Sequence, residues 1–147
     1  MDYAALKTAI LAQTDPAFVA HRAAGNTGAM AEWINGPTAL DVWKPRVTIT
    51  ELLSAVVWAD FIALPAEKRD AWFALTQGGA EGVDATVASI RDGFVSIFGG
   101  ASATVANLVA VAQRKATRYE SLYTTGGVCS EFGVRVSNDD VIRALAA

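Results

Sequence analysis

Reactive side chains are scarce in these 147 residues, which hold one cysteine and one histidine, and only 18% of the chain is charged. Zinc sites need clustered Cys, His or carboxylate ligands, and Cys129 and His21 stand far apart in the sequence, so metal chemistry is not expected. A disulfide framework within the chain is excluded because Cys129 has no second cysteine to join. A Cys–His nucleophile pair can form between distant positions. Cys129, however, sits in a Gly- and Thr-rich segment whose nearest basic residue is Arg135, so a packed thiol is the expected reading. His21, beside Arg22 late in a short helical segment, suits the negative end of a helix better than a catalytic base. Phosphate-binding loops are missing too: Gly78-Gly79, Gly99-Gly100 and Gly126-Gly127 fit neither GxxxxGK[ST] nor GxGxxG, and each follows a helical pattern where a cradle would lead into one. Catalysis and cofactors are therefore not expected.

Long apolar runs and basic excess are also lacking. The uncharged stretch Gly93 to Gln113 could span a bilayer of about 30 Å by length alone. It contains Gly99-Gly100, several polar side chains and a single leucine, so two helices joined at the glycines are expected. Met1-Asp2-Tyr3-Ala4 has an acid where a signal peptide carries basic residues. A cytoplasmic protein without membrane contact is the reading that follows. The net charge of −3 argues against a general nucleic-acid binder.

What the chain does have is helical periodicity in an alanine-rich, 52% hydrophobic sequence of one-domain length. The expected helices are Asp2 to Gln13, Pro16 to about Ala24 behind the cap Asp15, and a third from Asn26 through Met30, Trp33 and Ile34. Residues 40 to 50 read as a loop with an edge strand, since Pro45 cannot donate to an inner ladder. Thr48 and Glu51 form a capping box. The following run, Leu52 to Ile62, including Trp58, is expected to be one helix at the centre of the core. Pro65 opens another, with Trp72, Phe73 and Leu75 inward, ending at Gly78-Gly79. Residues 83 to 98 are expected as one helix. Ala101 to about Tyr123 is expected as the longest, about 34 Å at 1.5 Å per residue. Phe132, Val134 and Val136 alternate with Gly133 and Arg135 as in a short strand or extended arm, and Ser137 with Asp140 caps a final helix. The sum is a mainly α, compact helical bundle forming a single domain over residues 1–147, with a loop at about 40–50 and a C-terminal arm at about 126–147.

Two features point to association. Arg114, Lys115 and Arg118 gather on the outer side of the predicted long helix, with Arg114 and Arg118 at the repelling i, i+4 spacing, so an acidic partner surface or the dipole of the helix end must offset them. Asp139 and Asp140 fit the start of the last helix. Trp43, beside Lys44-Pro45-Arg46, is a large aromatic in a loop, open to reading as a lid on the core or as an interface anchor.

Three segments resemble small proteins encoded in the structural modules of tailed bacteriophages and prophages. The first is Thr14-Asp15-Pro16 with Phe18 through Ala31 and Trp33-Ile34-Asn35. The second is Val42-Trp43-Lys44 with Val47, and the third is Arg114 through Glu120 with Leu122-Tyr123 and Thr125-Gly126. They cover under half of the chain, in the same order, and residues 127–147 depart from the pattern. The resemblance implies a virion structural protein assembled in the host cytoplasm, most specifically a head–tail connector (adaptor) that forms a homo-oligomeric ring beneath the portal and meets tail-side proteins. DNA is then only passing cargo. Interface residues on this reading are Trp43, Lys44 and Arg46 in the loop, Arg114, Lys115 and Arg118 on the helix, and Phe132, Val134, Arg135 and Val136 in the arm. The alternatives are a tail-completion or capsid-associated protein, or a cytosolic helical binding module or assembly chaperone.

Overall fold

A computed structural model describes residues 1–77 and 82–147. The protein is mainly α, with ten helices and two small two-stranded sheets among the described residues. It divides into two compact units: unit 1 comprises Met1–Leu40 with Lys115–Ala147, and unit 2 comprises Asp41–Arg114. The chain passes from one to the other along β1 (Pro37–Trp43) and returns along β2 (Gln113–Thr117), and these strands pair.

Unit 1 holds helices α1 (Tyr3–Ala12), α2 (Pro16–Ala23) and α3 (Thr27–Asn35) near the N-terminus. Each starts where a side chain can accept from an amide that the helix leaves unpaired: Asp2 from Ala5, Asp15 from Ala17 and Phe18, and Asn26 from Ala29. The other end of α1 is closed by Arg22, whose Nη1 donates to the carbonyls of Ile10 (2.7 Å) and Leu11 (2.9 Å). Helices α9 (Arg118–Ser121) and α10 (Asn138–Ala146), and the hairpin β3 (Thr124–Thr125) to β4 (Val128–Cys129), complete the unit. Gly126 and Gly127 take φ of 59° and 78°, which a two-residue hairpin turn of the right twist requires. Leu6, Ile10, Phe18, Met30, Ile34, Tyr119, Val136 and Val141 form the core. Each fully buried side chain of this size is worth about 1.5–3 kcal/mol in transfer free energy.

Unit 2 contains α4 (Ile49–Ala55), α5 (Trp58–Ile62), α6 (Ala66–Gln77), α7 (Ala88–Phe98) and α8 (Ala103–Ala112). Its core is built around Trp72, whose ring meets Phe94 at 5.6 Å and Phe98 at 5.3 Å between centroids. Val47 and Val83 bridge antiparallel beside it, exchanging hydrogen bonds of 2.8 and 2.9 Å.

Several sequence expectations are overturned. The helix expected through Trp58 breaks at Val56-Val57, because Thr104 Oγ1 accepts from the Val57 amide and donates to Asp60 Oδ2. Trp58 is not core: it is 63% exposed, and Phe73 is also exposed. The helix expected over 83–98 starts only at Ala88, since Val83 is held in its bridge. The long helix does not exist. It ends at Ala112, continues as β2, and restarts as α9 behind a capping box of Thr117 and Glu120. Residues Phe132 to Val136 form no strand; Asn35 grips Val136 at both backbone groups (Nδ2 to O, 2.7 Å; N to Oδ1, 2.9 Å), and Val136 is buried. Gly78-Gly79 lies outside the described residues.

Candidate functional site

In unit 1, a cleft of about 500 Å³ lies between α1, α2, α3 and α9, within the size range of small-molecule and side-chain pockets. Phe18 and Trp33 form an aromatic wall, with centroids 4.6 Å apart. Arg118, which also lines the cleft, stacks on Trp33, its guanidinium carbon 4.0 Å from the ring centroid, while its Nη1 donates to the Trp33 carbonyl at 2.8 Å. The stacked guanidinium gains a cation–π term of about 0.5–2 kcal/mol and is fixed in one direction. Gly36 makes this possible, since any Cβ there would collide with Arg118 Nη1. Asp15, Gln13 and Ser121 add polar atoms, and half-exposed Leu122 sits at the mouth.

Tyr119 closes the inner side. It is fully buried, and among the described residues neither its hydroxyl nor that of Tyr123 has a hydrogen-bond partner. Burial first, and the neighbouring Tyr123 second, push the Tyr119 phenol well above its ordinary range.

Behind the cleft, Glu120 is fully buried. Its carboxylate accepts from the Thr117 amide (2.9 Å) and the Gly133 amide (2.6 Å), and its carbonyl accepts from Thr124 Oγ1 (2.8 Å) and from the buried Cys129 thiol (3.5 Å). The Glu120 side chain thus joins the end of β2 to the segment after the hairpin, and its backbone carbonyl holds the hairpin itself. Asp140 has a comparable place at the start of α10: it accepts from Ser137 and from Tyr3 Oη (3.0 Å), which holds its carboxyl below the ordinary range.

The residues singled out from sequence separate accordingly. Lys115, Arg118, Phe132, Val134, Arg135 and Val136 belong to unit 1, and Trp43, Lys44, Arg46 and Arg114 to unit 2. Arg118 lines the cleft; Lys115 donates to the Ala39 carbonyl at 3.0 Å; Val134 and Val136 pack against or within the core. Arg114 and Lys115 are strand residues, so the repelling helical row is absent. Trp43 is half-buried against the unit 2 core, with the Arg91 guanidinium 4.7 Å from its ring. Lys44 pairs with Glu51 at 3.0 Å. There the Thr48 backbone first and Lys44 second lower the Glu51 carboxyl from 4.5 to about 2. Sequence reasoning missed Asp15, Phe18 and Trp33 as cleft walls, although the first resemblance segment contains them, and it missed Arg91 and Glu120.

Among the described residues no group of His, Cys, Asp and Glu could hold a metal ion, and no helix is long and apolar enough to cross a membrane. No family model, no curated protein and no solved structure matches the chain.

Proposed function

We propose that the chain is a structural protein of a tailed-phage particle, a head–tail connector that assembles as a homo-oligomeric ring and joins portal to tail-side proteins. The observation that carries this reading is the convergence in unit 1 of two segments that resemble phage structural-module proteins: Asp15, Phe18 and Trp33 from the first and Arg118, Tyr119 and Leu122 from the third line one cleft. A patch on unit 2 supports assembly as well. Trp58 and Ile62 are 63% and 71% exposed, and the Phe61 ring joins Trp58 (5.4 Å) to exposed Phe73 (6.1 Å). Exposed aromatic clusters of this kind mark association surfaces, where Trp is the most frequent anchor. Trp58 thus takes the anchoring part that the sequence offered to Trp43.

Co-sedimentation of the purified chain with portal assemblies encoded by the same genome tests the proposal. A ring of fixed stoichiometry on the portal is the expected result, and Trp58→Ala weakens it while leaving helical circular dichroism intact. A chain that remains a monomer or dimer beside portals contradicts it and favours the binding-module or chaperone reading.

A further inference from the structure

A ring of identical copies needs a heterologous contact, in which one surface of a copy meets a different surface of the next. An isologous contact closes at two copies, so an exposed patch that met only itself would stop at a dimer. The described residues carry a surface of each kind. On unit 2, α5 presents Trp58 and Ile62, the two most exposed of the large hydrophobic side chains described, with the Phe61 ring edge-on to the indole. In unit 1, the cleft of about 500 Å³ is concave and mixed in polarity.

Size, ring chemistry and charge match the first surface to the second. A cavity of roughly 150 Å³ already holds benzene, so the cleft has room for an indole and the side chain of Ile62. Its wall of Phe18 and Trp33 offers the tilted and edge-on contacts that aromatic pairs prefer, and Arg118 offers a cation to a ring. Arg118 is balanced there by Asp15, so the cleft favours a neutral occupant over a charged one. The one charged side chain of α5, Asp60, is taken up by the Thr104 amide (3.1 Å) and hydroxyl (2.7 Å). Trp58 brings a single polar group, its indole N–H, which has no hydrogen-bond partner among the described residues. On the cleft side, both bonds that Asp15 accepts fall on Oδ1, from the amides of Ala17 (3.0 Å) and Phe18 (3.2 Å), and among the described residues Oδ2 accepts none.

We propose that Trp58 and Ile62 of one copy enter the unit 1 cleft of the next copy, the indole against Phe18 and Trp33 and its N–H donating to Asp15. This contact rests on the ring assembly proposed above and gives it a direction: each copy inserts one knob and receives one.

Sedimentation velocity of two full-chain variants, apart and mixed, tests this. Trp58→Ala lacks the knob and keeps the cleft. Ala12→Lys with Leu122→Lys, both exposed positions that line the cleft, obstructs the cleft and keeps the knob. Unchanged helical circular dichroism verifies both folds, and Ala12→Lys alone serves if the double variant does not fold. The unsubstituted chain is expected to self-associate and each variant to do so at least about tenfold more weakly, while their equimolar mixture forms a 1:1 heterodimer that grows no further. Undiminished self-association of the cleft variant shows Trp58 meeting another surface and overturns the proposal. A mixture that yields no heterodimer overturns it too, whether or not the unsubstituted chain associates. Co-sedimentation with portals separates the ring from this contact: a ring built equally well by the cleft variant removes the contact and leaves the ring, whereas a heterodimer without any ring on the portal does the reverse.

Discussion

Glu120 is the residue on which most of unit 1's local order turns. A carboxylate with no solvent exposure must be fully hydrogen-bonded, and here its partners come from the segments on both sides of α9. Glu120→Ala keeps the Thr117 cap bond but leaves the Thr117 and Gly133 amides unpaired, at about 1–3 kcal/mol each, so a clear loss of stability is expected, measured by urea unfolding. Tyr119 next to it behaves oppositely. Its hydroxyl is buried among the described residues without a partner, so Tyr119→Phe is expected to cost nothing or to stabilise by up to about 1 kcal/mol. A clear destabilisation in the same unfolding assay would show that the hydroxyl is satisfied. Glu51 gives a pH dependence. Its folded-state pKa, about 2, lies below the ordinary 4.5, so its contribution is present above pH 4.5 and is lost as pH falls towards 2. Thermal melts over that window are expected to fall less steeply for Glu51→Gln than for the unsubstituted chain.

Among the elements, local signals were readable where the helix start is written in adjacent residues. Asp15-Pro16, Asn26, Thr48 with Glu51 and Ser137 with Asp140 all cap as their sequence implies. The Thr117–Glu120 box has the same form and was legible too, but Leu108, Ala112, Ala116 and Tyr119 also continue a helical stripe. Small alanines fit either a helix or a strand, and pairing of β2 with β1, distant in sequence, settles the choice. The break after Ala55 carries no glycine or proline. It is made by Thr104 and Asp60, and Asn107 donates to the Ala55 carbonyl, so no local pattern announces it. Gly82 is the position where backbone geometry is most demanding: φ is 118°, and a Cβ would strike the Val47 carbonyl in the bridge. Gly82→Ala is therefore expected to destabilise unit 2 by more than about 1 kcal/mol, with accelerated hydrogen exchange at the Val47 and Val83 amides.

For the whole molecule, helical composition was legible from periodicity, whereas the organisation into an inserted unit 2 and a unit 1 built from both ends of the chain was not. Such a division depends on which distant segments pair, and a helix read across residues 112–118 conceals the return strand. The same misreading hid the cleft, because Arg118 comes to Trp33 only when α9 is a separate short helix after β2. The structural role proposed here draws on that convergence and on the exposed Trp58 patch. It is tested most directly by quantitative mass spectrometry and electron microscopy of purified particles from the phage or prophage that encodes the chain. A fixed, multi-copy complement of this protein per particle, located at the portal vertex, is the expected result. Particles that are complete and infectious without it would rule out a connector role.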